Sequence, residues 1–261
     1  MKEVIEDVQS RPDARAIAID TAGVCGLKHP FTLMTSATAH QPIIAELTMS
    51  ATVPAAVKGT HMSRYVEAAA TVSHLAGDGI AKLAHEVHRR LMSPDVRTRA
   101  NFTFVLQRYA PVTGAAGWID YQGALDCTLV AGVTTITTTV HVPVTTLCPC
   151  SKTISDYGAH NQRGVITIAA RHDGGVHLEE LVAIAESCGS CQVYPVLKRP
   201  DERYVTMKAY DTPMFVEDIV RSVVEKLRND ARIAEADIAV VNDESIHNHK
   251  AFAGTRYVRS L

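Results

Sequence analysis

Thr134-Thr135-Ile136-Thr137-Thr138-Thr139-Val140-His141-Val142-Pro143-Val144-Thr145-Thr146-Leu147 is the run that decides the architecture. Eleven of its fourteen residues are β-branched. Such side chains are stiff at χ1 and pack well on a pleated surface, so the run reads as a strand. It ends in Cys148-Pro149-Cys150-Ser151-Lys152-Thr153-Ile154-Ser155-Asp156-Tyr157-Gly158-Ala159-His160-Asn161-Gln162-Arg163, and 164–172 follows as the next strand. Reactive side chains crowded between two strands predict a site built by a strand end and its loop.

Working outward, 28–35 and 42–53 read as strands, the second with alternating Ile44, Leu47, Met49 and Ala51. Residues 65–75 are Ala-rich and helical in character, Gly77 and Gly79 interrupt, and 81–92 carries Leu83, Val87 and Leu91 at helical spacing before Pro94. Strands follow at 99–109 and 118–131. Beyond the opening run, 178–187 and 215–228 read as helices, the latter with Phe215, Ile219, Val220, Val223 and Leu227 on one face. Residues 233–242 and 251–258 close the chain as strands. The element order repeats, and helices are grouped between hairpins. The expected class is α+β, antiparallel sheets with helices packed on one face. The expected division is a flexible lead-in at 1–20, a first half at 21–132, and a second half at 133–261 that carries most site residues.

Composition narrows the function classes. The chain has 261 residues, 46% hydrophobic and 21% charged, enough for a substantial core. A net charge of −2 and 5% aromatic content argue against a nucleic-acid or membrane partner. With no apolar run of membrane-span length and no signal-peptide core, the expected location is cytoplasmic. Six cysteines in such a chain read as thiols or metal ligands rather than disulfides.

A four-cysteine zinc site from Cys148, Cys150, Cys188 and Cys191 is disfavoured. In an extended Cys-Pro-Cys, alternate side chains point to opposite faces. Cys148 and His160 are better placed, since the loop between them can fold back and bring thiolate and imidazole to one ion. Glu202 can complete an open metal site with them. Glu244-Ser245-Ile246-His247-Asn248-His249 supplies acid–base groups. Leu197-Lys198-Arg199-Pro200-Asp201-Glu202-Arg203 is either a solvated loop or a polyphosphate contact. Lys58-Gly59-Thr60-His61-Met62-Ser63-Arg64 is a second candidate anion loop. Glu217 follows Pro213 at a helix start, where it favours the macrodipole or reads the N–H groups of a guanine edge. Neither a P-loop nor a Rossmann fingerprint is present.

Taken together, Leu147 to Lys152, Gly158 to Arg163, Leu197 to Glu202, Phe215 to Asp218, Glu244 to His249 and the Lys58 loop resemble GTP cyclohydrolase of type IB, across nearly the whole chain after about residue 20. The resemblance implies the tunnelling fold, with two ββααββ-type halves, and a homotetramer. It also implies opening of the GTP imidazole ring at C8, with release of formate and formation of 7,8-dihydroneopterin triphosphate. By the same resemblance, Cys148, His160 and Glu202 hold one divalent metal (Zn, Mn or Fe). Glu217 anchors guanine, while Glu244, His247 and His249 move protons beside Cys148. By residue type, Lys152, Arg163, Lys198, Arg199, Arg64 and His61 are candidates for the rest of the substrate. Two alternatives stand beside this reading. One is a nitrile reductase of the same superfamily, with a cysteine nucleophile and NADPH. The other is a non-catalytic, metal-stabilised binding protein.

Overall fold

A computed structural model describes residues 7, 9 and 11–259. Two compact units emerge. The first takes the described residues through Met34, His40–Phe102 and Ala124–Ile136; the second takes Thr35–Ala39, Thr103–Gly123 and the described residues from Thr137 onward. The elements in chain order are β1 (Ile19–Met34), β2 (His40–Val53), α1 (Met62–Ala69), β3 (His74–Leu75), α2 (Gly77–Leu91), β4 (Val96–Tyr109), β5 (Ala116–Val130) and β6 (Val133–Leu147). They continue with α3 (Pro149–Ile154), β7 (Asn161–His172), α4 (Leu178–Glu186), β8 (Cys191–Gln192), α5 (Arg199–Asp211), α6 (Val216–Leu227), β9 (Ile233–Asp243) and β10 (Lys250–Val258). β4, β5 and β6 each give residues to both units.

In the first unit β1 lies antiparallel to β2, with Phe31 opposite Ile43, and β2 lies antiparallel to β4, with Glu46 opposite Asn101. The short β3 runs parallel to β1. Tyr65 and Ala68 of α1 and Ile80, Leu83, Ala84 and Val87 of α2 are buried. Gly77 and Gly79 do not interrupt a helix but open α2. A Cβ on Gly79 would sit 2.3 Å from the His74 carbonyl oxygen, so the glycine permits a close approach to the preceding chain. Helix α1 ends at Ala69, earlier than its Ala-rich composition predicts.

Residues 1–6, 8 and 10 of the expected lead-in lie outside the described residues. Its described part is tied to the loop before α1. Lys58 N–H donates to the Arg11 carbonyl at 3.0 Å, and Gly59 N–H to that of Gln9 at 3.2 Å. β1 already includes Ile19 and Asp20.

In the second unit β7 lies antiparallel to β9, with Gly164 opposite Asn242, and β10 lies antiparallel to β9. β8 pairs with the end of β6, Thr145 opposite Cys191. Buried and exposed residues alternate along β7 and β9, as expected when one sheet face carries the core. α6 buries Val216, Ile219, Val220, Val223 and Leu227, each contributing about 1.5–3 kcal/mol. Phe215, expected on that stripe, instead precedes the helix and is exposed.

Two helices depart from expectation. Cys148-Pro149-Cys150 is extended only at Cys148: Pro149 opens α3, where a missing N–H costs nothing. Lys198 to Arg203 is not a loop but the start of α5. That helix buries only Asp201 and Ala209, so no apolar stripe announces it.

His172 is 1% exposed. Its Nδ1 accepts the Gly174 N–H at 3.0 Å, and its Nε2 lies 2.8 Å from the Thr138 hydroxyl. An Nδ1 that accepts leaves Nε2 to carry the proton, so the ring is neutral. Burial holds its pKa below the ordinary value. The unfolded chain therefore binds a proton that the folded chain refuses. Stability is present above pH ~6.5 and declines as pH falls below it, by at most about 1.4 kcal/mol per pH unit. Comparing thermal unfolding of wild type and His172→Gln from pH 7.5 to 5.0 checks this. The wild-type melting temperature should fall more steeply with acid than the variant's.

Candidate active site

The end of β6 is pinned on both sides. Leu147 N–H donates to Ser190 Oγ at 3.1 Å, and the Leu147 carbonyl accepts the Met214 N–H at 3.1 Å. The loop then closes on itself: Cys148 N–H donates to the His160 carbonyl at 3.2 Å. Ser151 fills the turn, donating its hydroxyl to the Cys148 carbonyl at 3.1 Å and accepting the His160 N–H at 3.2 Å. Cys148 Sγ accepts the Ser151 N–H at 3.5 Å. Two residues separated by eleven others thus become backbone neighbours.

His160 Nδ1 lies 2.9 Å from Gln162 Oε1 and 3.2 Å from Ser245 Oγ. An amide oxygen can only accept, so Nδ1 carries the proton and Nε2 keeps its lone pair. Gln162 Nε2 in turn donates to Glu244 Oε1 at 3.4 Å. Gln162, Ser151 and Ser245 hold these groups, although none of them stood out as a functional residue. The available signal was a polar Gln162 two residues beyond His160, at the start of β7.

The remaining expected residues are dispersed. Glu202 lies in the first turn of α5, exposed, accepting from Arg199 Nη1 at 2.9 Å. Glu217 is exposed in the first turn of α6, while its neighbour Asp218 accepts the Phe215 N–H at 3.2 Å. His247 and His249 are exposed, their rings 4.9 Å apart and nearly parallel. Lys152 Nζ donates to the Tyr210 carbonyl at 2.5 Å and lies 4.2 Å from the Tyr210 ring centre. This bond ties α3 to the end of α5. Arg163 and Lys198 are exposed at the starts of β7 and α5. In the first unit, Arg64 Nη1 donates to the Arg90 carbonyl at 3.1 Å, and His61 Nε2 lies 3.5 Å from Asp7 Oδ2.

The donors suit a borderline divalent ion: a half-buried thiol, and an imidazole whose second nitrogen is already oriented by an amide. Among the described residues, no three His, Cys, Asp or Glu converge within one copy of the chain. Cys150 is exposed in the first turn of α3. Cys188 and Cys191 are buried, and burial pushes both thiols up. They line a cavity of about 680 Å³ with Tyr204, Lys208 and Lys226, a lining that includes none of Cys148, His160, Glu202, Glu217 or Glu244.

Beneath the site, Asn242 packs over Gly164. A Cβ on Gly164 would lie 2.4 Å from Asn242 Oδ1 and 3.2 Å from Thr146 Cγ2. Asn242 is 2% exposed and has nowhere to retreat. Gly164→Ala should therefore cost about 1–3 kcal/mol through overpacking. Chemical denaturation checks this; an unchanged unfolding midpoint would contradict the packing described.

The chain resembles known proteins over nearly its full length. The family model of type I GTP cyclohydrolase FolE2 matches residues 5–253. "GTP cyclohydrolase FolE2 1" of Dechloromonas aromatica (strain RCB) is 45% identical over 251 residues, covering 95% of this chain and 94% of the relative. "GTP cyclohydrolase FolE2" of Nitrosococcus oceani is 41% identical over 250 residues, with 95% and 94% covered. Among solved structures, uricase from Arthrobacter globiformis superposes with a TM-score of 0.55 at 8% identity, covering 92% of this chain and 93% of that one. That likeness speaks for the fold alone: an α+β tunnelling fold, with six helices among the described residues. Neither a nitrile reductase nor a non-catalytic binder is supported by these likenesses. On the matched length and the identity of its relatives, the chain belongs to the type I GTP cyclohydrolase FolE2 family.

Proposed function

We propose that this chain is a GTP cyclohydrolase acting in folate and pterin biosynthesis. It opens the GTP imidazole ring at C8, releases formate and recloses the product as 7,8-dihydroneopterin triphosphate. The observation that carries the reading is the hydrogen-bonded chain from Cys148 through Ser151, His160 and Gln162 to Glu244, within a family match over residues 5–253. It gathers a thiol, an imidazole and a carboxylate at one strand end.

Cys148, His160 and Glu202 would hold one divalent ion, Zn, Mn or Fe. The orientation of the His160 ring by Gln162 and the half-burial of Cys148 support this. When bound, such an ion supplies the Lewis acidity that makes water nucleophilic near neutral pH. Gln162 keeps the His160 proton on Nδ1, leaving Nε2 free to ligate. Glu244 takes a proton from the attacking water, a role that its tether through Gln162 to His160 supports. His247 and His249, exposed in the turn after β9, deliver protons to the two leaving nitrogens. Glu217 reads the guanine edge from the first turn of α6. Lys198, Arg199, Arg163, Lys152, Arg64 and His61 are the candidate contacts for the remainder of GTP.

The enzyme acts in the cytoplasm as a homo-oligomer, a tetramer by its expected assembly. No helix among the described residues is long and apolar enough to cross a membrane. Support for association comes from β10, which leaves one edge of the second unit's sheet open and exposes Phe252 and Val258.

Purified chain loaded with Mn²⁺ should release one formate per GTP, with a pterin that fluoresces on oxidation. Cys148→Ala should remain folded by circular dichroism and lose activity. A fully metallated wild type that gives no formate would overturn the function. Glu217→Ala should raise KM for GTP by about 10-fold or more while keeping its metal content, because it removes charged hydrogen bonds to the base. Metal loss in that variant would place Glu217 wrongly.

A further inference from the structure

The turn between β4 and β5 grips the start of α5. Asp201 is fully buried, and its carboxylate accepts four hydrogen bonds. Oδ1 takes the N–H groups of Val112 and Thr113 at 2.8 and 2.9 Å. Oδ2 takes the Thr113 hydroxyl at 2.6 Å and the Lys198 N–H at 2.9 Å. The Lys198 bond caps the helix from within. The other three come from a turn 88 or 89 residues earlier in the chain. That turn is closed by Ala110 N–H to the Ala115 carbonyl at 2.9 Å and Gly114 N–H to that of Ala110 at 3.0 Å. A second contact holds the approach to the helix: a Cβ on Gly117 would lie 2.7 Å from Pro195 Cγ and 2.9 Å from Val196 Cγ2.

These contacts matter because α5 has little else to fix it. Only Asp201 and Ala209 are buried, so no apolar stripe sets its rotation or its height along the axis. The residue after Asp201 is Glu202, whose carboxylate must reach an ion to within a few tenths of an ångström. We infer that Asp201 is a positioning residue: it clamps α5 to the β4–β5 turn and so fixes the height and rotation at which the helix presents Glu202. The inference rests on the reading of Glu202 as a metal ligand.

Mn²⁺ titration calorimetry on the full chain, well below its melting temperature, tests this without turnover. Asp201→Asn replaces an acceptor oxygen by an NH₂ that opposes the N–H donors. It should weaken Mn²⁺ binding by about 10- to 100-fold, the range for residues that orient ligands. Thr113→Val removes one donor and should weaken binding several-fold with an unchanged circular dichroism spectrum; it decides the matter if Asp201→Asn does not fold. Thr138→Val, which removes the hydroxyl beside His172, is the control: it should lower the melting temperature and leave Mn²⁺ affinity intact. Glu202→Ala separates the two readings. If it loses Mn²⁺ while Asp201→Asn and Thr113→Val bind as wild type does, the positioning role is overturned and the metal site stands. If Glu202→Ala binds Mn²⁺ as tightly as wild type, the ligand assignment fails and the positioning role fails with it.

Discussion

The hydrogen bond from the Cys148 N–H to the His160 carbonyl is the constraint on which the site depends. Without it, the loop between β6 and β7 could place thiol and imidazole in many relative positions. With it, the two become neighbours across the mouth of a strand pair, and Ser151 bridges them by donating to one backbone and accepting from the other. The strand end itself is held by Ser190 and Met214. Chemistry that requires two ligands on one ion is thus prepared by backbone geometry.

The elements around this turn are held by different forces. α6 is anchored by an apolar face from Val216 to Leu227, so the exposed Glu217 in its first turn inherits a firm base. α5 has no such face. It is held by a buried carboxylate at its start and by the Lys152 bond to Tyr210 near its end. Burial alone would raise the Asp201 carboxyl, but the hydrogen bonds from Thr113, Lys198 and Val112 outweigh it and hold it well below the usual carboxylate range. The exposed Arg199–Glu202 pair contributes little to stability, so a ligand can claim Glu202 at small cost.

How much of this could be read in advance depended on what each residue does. The strands Val133–Leu147 and Ile233–Asp243 and the helix Val216–Leu227 were legible because burial imposes a period of two or of 3.6 on their apolar residues. α3 was not, because Cys-Pro-Cys fits an extended period equally well until the tertiary fold puts Pro149 in a first turn. α5 was hidden because its buried anchor is an aspartate. Cys148 and His160 stood out by their chemistry on one short loop. Glu202, Glu217, His247 and His249 depended on family resemblance for their roles, being exposed side chains whose spacing alone also fits a solvated surface. Gln162, Ser151, Ser245 and Asp201 went unread because their contribution is orientation, which leaves no periodic or compositional mark.

The metal centre is tested most directly by anomalous scattering from zinc-loaded crystals of the full chain. The expected result is one ion per site, about 2.3 Å from Cys148 Sγ and about 2.0–2.2 Å from His160 Nε2 and a Glu202 carboxylate oxygen. An ion bound elsewhere, with Cys148 and His160 left unligated, would contradict it.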